Sequence, residues 1–316
     1  MRKVTAKANI NIALCKYWGK SDVDKVYPTT TSISFTLDTF YTITTITSQS
    51  HQKANTIIIN DHFASNEDVV KVNKFLDRFS NGEKVMISSK NYVPTKAGLA
   101  SSASAYASIA MAAKEFFNLD YSLNQLAQIT RFGSGSASRS IFDGFVKWEA
   151  NSDIIEKINA PMMDVGMFVI MIDDSQKKVS STKAMELSKN TSWMYDAWVN
   201  RANIQAKDME DAIINQDFHR IGALAQDNAM SMHMTMLTTN PSIVYFQPKT
   251  IEIMHHLLDL QAKKVPLYFT MDAGPNIKVF ILNEDKKDIE RELLKIVPKT
   301  QLIYSLPGKG ATLLYE

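Results

Sequence analysis

The sequence predicts an α+β fold in two units, residues 1–180 and 181–316. Three observations point there. Strand patterns crowd the first half, long helical patterns dominate after residue 180, and 316 residues are more than one small core organises. Residues 41–47 (YTITTIT) alternate apolar and polar and are rich in Thr and Ile, as a half-buried strand is. Thr56–Ile59 reads as a strand entering the Asn60-Asp61 turn. Over 67–80, Val72, Phe75, Leu76 and Phe79 fall on one helical face. A strand over 84–88 and a loop over 93–100 lead to a small-residue helix from about 101 to 117. Ser122 and Gln125 are spaced as a capping box for the next helix. Residues 166–172 (GMFVIMI) are an apolar run of strand length, and helical patterns then cover roughly 192–236 and 242–263. Strands Leu267–Met271 and Ile277–Leu282 bracket an Asp-Ala-Gly-Pro-Asn turn, and a last amphipathic helix sets Ile289 and Leu293 one turn apart. No Pro/Gly-rich linker marks the boundary between the units.

Charge narrows the function. Lys plus Arg is 35 against 33 for Asp plus Glu, so the basic excess of a nucleic-acid binder is missing and any anionic ligand must meet a local cluster. A single cysteine, Cys15, excludes an intrachain disulfide, and its apolar setting reads as packing more readily than as a nucleophile. No apolar run approaches the ~20 residues of a membrane span. The N-terminus lacks a signal-like apolar core, so a soluble cytoplasmic protein is expected.

Four segments concentrate chemistry. In PTKAGLASSASA (94–105), small residues run into a helix N-terminus, where free N–H groups and the dipole favour phosphate. Gly98 and Ala100 permit close backbone approach, and Ser101, Ser102 and Ser104 offer hydroxyls. A Ser/Ala-rich helix packed tightly on a sheet would read the same way. RFGSGSASRS (131–140) sets Gly133, Gly135, Ser134, Ser136 and Arg139 together, either as a mould for an anion or as a solvated loop. KYWGK brings Lys16, Tyr17 and Lys20 together beside Trp18, as an anion clamp or as core with exposed lysines. Asp272, at a strand end before Gly274-Pro275, can face a cleft or make local turn hydrogen bonds. His233 on its helix reads as packed or solvated, and the adjacent His255 and His256 point apart, a poor metal site.

The stretches NIALCKYWGK, YVPTKAGLASSASAYAS, RFGSGSASRSIFDGFVKWE, KKVSSTKAM and YFTMDAGPN together resemble the diphosphomevalonate decarboxylases. These belong to the superfamily of galactokinase, homoserine kinase, mevalonate kinase and phosphomevalonate kinase. The resemblance spans residues 9–276 in order. It implies an N-terminal domain like part of a ribosomal protein and a C-terminal ferredoxin-like domain, with the site between them. It also implies ATP-dependent decarboxylation of mevalonate 5-diphosphate to isopentenyl diphosphate, with Mg²⁺, in a homodimer; the charge balance and the lack of a long apolar run set nucleic-acid and membrane partners aside. Position by position, it makes Asp272 the essential aspartate, Lys16 its partner at the 3-hydroxyl, and Arg139 the carboxylate-binding arginine. Tyr17, Lys20, Ser134 and Ser136 become the substrate grip. Ser181 and Met185 flank nucleotide and substrate. Gly98, Ala100, Ser101, Ser102 and Ser104 form the nucleotide loop, with Ser102 nearest the metal. The chain departs from the family pattern at Thr182, where Arg is common, and at Cys15, Lys96 and Asp143.

Overall fold

The computed structural model describes residues 2–49, 52–80, 82–92, 101–172 and 179–315. The expected loop over 93–100, with Lys96, Gly98 and Ala100, lies outside them. The elements run β1 (Lys3–Cys15), β2 (Lys20–Asp22), β3 (Tyr27–Pro28), β4 (Ser32–Ser48), β5 (Thr56–Ile59), β6 (His62–Phe63), α1 (Asn66–Leu76), β7 (Val85–Tyr92), α2 (Ser101–Phe116) and α3 (Leu123–Thr130). A 3-10 turn (Gly135–Ile141) leads to β8 (Phe145–Trp148), β9 (Ile155–Lys157), β10 (Val165–Ile170), α4 (Ser181–Thr191), α5 (Tyr195–Ile214), α6 (Phe218–Leu237) and α7 (Pro248–Ala262). The chain closes with β11 (Leu267–Met271), β12 (Ile277–Leu282), α8 (Lys286–Leu293), β13 (Leu302–Ser305) and β14 (Thr312–Leu314).

Two sheets organise these elements. The larger has the order β14-β1-β4-β7-β5-β6, with β8 and β9 joined to the far end of β4. The smaller is β11-β12-β10-β13, antiparallel throughout. The expected division at 180/181 counts residues 165–170 with the first half, whereas β10 pairs in the second sheet and β14 returns to the first. Both faces of β10 are covered, which explains its unbroken apolar run. Met167 and Val169 pack toward the larger sheet with α5 and α6, while Phe168 and Ile170 pack toward α7 and α8.

Helices α1, α2 and α3 cover one face of the larger sheet. The small residues of α2 let it sit close, and hydroxyls cross the seam, Thr42–Ser104 at 2.8 Å and Thr44–Ser108 at 2.7 Å, while Thr44 also meets Ser89 of the neighbouring β7 at 2.8 Å. These pairs satisfy polar groups that burial would otherwise penalise. Other elements depart from the sequence pattern at their ends. The helix expected to reach residue 80 ends at Leu76, its last turn closing through Phe79 N–H to the Leu76 carbonyl. The long pattern over 192–236 is cut at Asn215–Asp217, where Gln216 has φ 55° and Asp217 caps α6 through Arg220 N–H. The next helix begins at Pro248, whose fixed φ and missing N–H suit a first helical position. The Ser122–Gln125 capping box is present in both directions.

Candidate active site

The site forms where the C-terminal end of β1, the 3-10 turn at 135–141 and the turn after β11 converge. Asp272 leaves β11 and its carboxylate meets two lysines. Lys16 Nζ lies 2.9 Å from Oδ1 and Lys278 Nζ 2.9 Å from Oδ2. The side chains of Lys16 and Lys278 are 2% and 1% exposed and that of Asp272 is 21%, so the carboxylate presents the open side of the cluster. Burial alone would raise the Asp272 carboxyl, but the charges of Lys16 and Lys278 and their hydrogen bonds outweigh it and hold the group well below the usual carboxylate range. Burial lowers the Lys16 ammonium, with Asp272 opposing and Lys278 reinforcing that shift.

Local hydrogen bonds fix Lys16. Its Nζ also donates to the Ala13 carbonyl at 2.8 Å, and its backbone N–H donates to Asn228 Oδ1 on α6 at 2.8 Å. Gln205 Oε1 accepts from Asn228 in turn. His233 is buried on α6, stacked on Phe246 at 4.5 Å between ring centroids, with Nε2 3.1 Å from the Asp272 carbonyl. Burial pushes its imidazole down to about 3, so it is neutral and Nε2–H donates to that carbonyl.

Arg139 is fully buried and donates from one terminal nitrogen to Ser32 Oγ at 2.7 Å, while its Nε has no partner among the described residues. Burial pushes its guanidinium down to about 10. Tyr17 lies beside it with its hydroxyl also buried and unpartnered among the described residues. These unpaired atoms mark a place that a polar ligand would complete. Glycine is required at Gly135, where a Cβ would stand 2.8 Å from the Tyr17 ring. Gly19, at φ +124°, turns the chain into Lys20, and Tyr195 pins that turn by donating to the Trp18 carbonyl.

Three serines from two segments meet: Ser134 Oγ lies 3.3 Å from Ser102 Oγ and 3.1 Å from Ser136 Oγ. Ser101 and Ser102 open α2, whose first turn carries no acidic residue. Beside them a cleft open to solvent is lined by Ile57, Asp68, Asn91, Ser102 and Tyr106 among others. Ser104 points the other way, into the buried pair with Thr42. Ser181 is half-buried at the start of α4, and Met185 packs in the cluster that holds Trp18. Lys20 is half-buried, its carbonyl accepting from Lys189, and burial lowers its ammonium. The other arginine of that segment, Arg131, is spent on structure: it donates to the Lys25 and Gln128 carbonyls. Cys15 is buried, and burial pushes its thiol up to about 12. No cluster of three or more His, Cys, Asp or Glu able to hold a metal occurs among the described residues.

Sequence reasoning missed Lys278, Asn228 and Ser32. Lys278 left a signal, as the one charged residue in the strand IKVFIL. Asn228 and Ser32 left none.

Residues 8–159 match the family model of the diphosphomevalonate decarboxylase-like N-terminal domain, and residues 167–310 match the mevalonate 5-diphosphate decarboxylase C-terminal domain. The diphosphomevalonate decarboxylase of Debaryomyces hansenii is 30% identical over 93% of this chain and 83% of its own length. That of Saccharomyces cerevisiae is 30% identical over 95% and 82%. The crystal structure of mevalonate diphosphate decarboxylase from Staphylococcus aureus superposes with a TM-score of 0.95 at 35% identity, covering 99% of this chain and 98% of that one. A structure of the Enterococcus faecalis enzyme superposes with a TM-score of 0.93 at 35% identity, covering 99% of each. The chain belongs to the diphosphomevalonate decarboxylase family.

Proposed function

We propose that this protein catalyses ATP-dependent decarboxylation of mevalonate 5-diphosphate to isopentenyl diphosphate, releasing ADP, phosphate and carbon dioxide. The observation that carries the proposal is the Asp272 carboxylate, held by two buried lysines and open on one side, near the buried Arg139. A solved relative in complex with MVAPP, AMPPCP and magnesium, 36% identical to this chain, supports the choice of ligands.

Asp272 accepts a hydrogen bond from the 3-hydroxyl and aims its oxygen at the γ-phosphorus of ATP. So depressed a carboxylate is a weak base, so Asp272 takes the proton only as the new oxygen–phosphorus bond forms and acidifies the hydroxyl. Lys16, with one N–H beyond its bonds to Asp272 and Ala13, stabilises the moving phosphoryl charge. The C3–O bond then breaks, with phosphate taking the pair. The C1–C2 pair becomes the C2=C3 double bond as carbon dioxide departs. Arg139 holds the carboxylate until then. Tyr17, Lys20, Ser134 and Ser136 grip the diphosphate, and Ser181 and Met185 flank the ligands. Ser101 and Ser102, with Gly98 and Ala100 just before them in the sequence, receive the triphosphate at the α2 N-terminus. The apolar-walled cleft beside it suits the base. Ser102 would contribute its hydroxyl to Mg²⁺, which would supply positive charge against the negative charge of the triphosphate. The serine cluster fits that role because few carboxylates are needed when phosphate supplies most of the ligands.

The same reading includes a cytoplasmic homodimer. No described helix is long and apolar enough to cross a membrane, and the near-balance of charge argues against a nucleic-acid partner. Purified protein with Mg-ATP and mevalonate 5-diphosphate should release ADP and carbon dioxide in equal amounts. ADP without carbon dioxide would mean a 3-kinase. Turnover only on the monophosphate would overturn the diphosphate assignment, and silence on all of these substrates would leave a binding protein.

A further inference from the structure

We propose that Lys278 is a positioning residue for phosphoryl transfer, holding Oδ2 of Asp272 so that the free side of the carboxylate meets the substrate hydroxyl. This rests on the function proposed above. Three observations carry it. The first is the placement of the charge. β12 reads IKVFIL, apolar except for Lys278, and the lysine is 1% exposed with its Nζ 2.9 Å from Oδ2 and 3.4 Å from the Asn276 carbonyl. Burying an ammonium is costly unless it is paired and hydrogen-bonded, and a well-packed apolar side chain at such a site is often neutral or better for stability.

The second is redundancy. Lys16 already pairs with Asp272 at 2.9 Å, so neutralising the carboxylate does not need Lys278. Adding it leaves two ammoniums against one carboxylate, an excess of charge that pairing alone does not explain. The third is geometry. With Lys16 on Oδ1 and Lys278 on Oδ2, the carboxylate is fixed at two points and its terminal torsion, otherwise broad, is set. Lys278 is 1% exposed and its Nζ meets Oδ2 of Asp272, so its part in the reaction runs through the aspartate.

The charged and titratable groups facing Asp272 come from four elements: Lys16 at the end of β1, Lys278 on β12, His233 on α6, and Arg139 on the 3-10 turn. His233 stays neutral, which leaves the two lysines as the main source of the carboxyl's depression. Removing one raises the Asp272 carboxyl. The working form is ionised, so activity is then lost at higher pH on the acid side.

The test compares wild type with Lys278→Met and Lys278→Gln, measuring kcat and KM from coupled ADP and carbon dioxide release across pH, with thermal melts alongside. The methionine variant should lose about 10- to 100-fold in kcat with little change in KM, the scale expected when a reacting group is misaimed. Its acid limb should move to higher pH. Glutamine can still donate to Oδ2 but carries no charge, so Lys278→Gln should recover part of kcat while showing the same displaced limb. If the methionine variant folds poorly, the glutamine variant alone reads the limb. Wild-type kcat and an unmoved limb in a folded variant, or a change in melting temperature or KM alone, would overturn the assignment. An inactive wild type would instead sink the proposed function.

Discussion

Replacing Asp272 by Asn removes the one negative charge from between two buried ammoniums while keeping size and shape. Each lysine nitrogen lies 2.9 Å from a carboxylate oxygen and is almost wholly shielded from solvent. Removing one partner of a buried pair costs about 3–5 kcal/mol, because the stranded charge stays desolvated. Lys16 keeps the Ala13 carbonyl and the Asn oxygen still accepts one bond, so the lower figure, about 3 kcal/mol, applies here. For units of this size that is a fall of roughly 6–12 °C in melting temperature. The loss has a sign in pH. Burial lowers Lys16 and Asp272 partly opposes it, so without Asp272 the folded value falls further below the unfolded one. Between those two values the unfolded chain binds the extra proton, so the variant gains stability as pH rises through that window and closes part of its gap to wild type. Substrate binding survives through Arg139 and the serines, while turnover falls by about 10²- to 10⁴-fold. Thermal melts from neutral into alkaline pH, calorimetric binding and ADP release measure all three. An Asn variant as stable as wild type at neutral pH, with no slope toward alkaline pH, would refute the charge argument; full turnover would refute the catalytic one.

Gly135→Ala should destabilise by about 1–3 kcal/mol and raise KM for the diphosphate substrate, because overpacking here has no cheap relief. The new Cβ would stand 2.8 Å from Tyr17, whose ring rests 5.2 Å from that of buried Trp148. Chemical denaturation and steady-state kinetics check both, and an unchanged KM would place Tyr17 outside the substrate grip. Cys15, fully buried with its thiol pushed up to about 12, should resist a thiol-specific reagent in the native protein and react once on unfolding; fast native labelling would contradict the burial. His233, lowered from 6.5 to about 3, contributes stability that is fully present above 6.5 and is lost as pH falls through about 3. Acid unfolding of His233→Phe should therefore show a shallower slope across that window, by up to about one proton.

Local signals made much of this fold legible. Thr56–Ile59, Leu267–Met271 and Ile277–Leu282 lie where the periodicity puts them, and the Ser122–Gln125 box caps α3 as its spacing implies. Helix ends were less legible. The apolar period runs through 192–236, and only the left-handed Gln216 and the Asp217 cap, which are backbone events, divide α5 from α6. The partnership of β10 with β12 and β13 is long-range, and an apolar run says that a strand is buried without saying in which sheet. At the site the same rule holds. Lys16, Arg139 and Asp272 stand in motifs, and the structure gathers them from positions 256 residues apart. Ser102 and Ser134 meet only because α2 and the 3-10 turn pack together. Ser104, two residues further into α2, faces the sheet and pairs with Thr42, an orientation that the run of small residues could not specify. Lys278 was visible as an anomaly, but its partner was not.

The charge arrangement is a poor way to stabilise a core and a good way to hold anions. Lys16, Lys278 and Arg139 are each no more than 2% exposed, and Asp272 is the one carboxylate ion-paired to either lysine among the described residues. A buried cation in excess of its partners is a standing cost that apolar packing would avoid. Many buried hydroxyls elsewhere in the described chain are paired, as in the Thr44–Ser108 and Thr42–Ser104 contacts, whereas Arg139 Nε and the Tyr17 hydroxyl are left open beside each other here. An entering substrate that brings a carboxylate and a diphosphate would complete those bonds and offset the excess charge together. The fold therefore keeps strain where binding can relieve it, and the donors are already in position when the charge of the transition state develops.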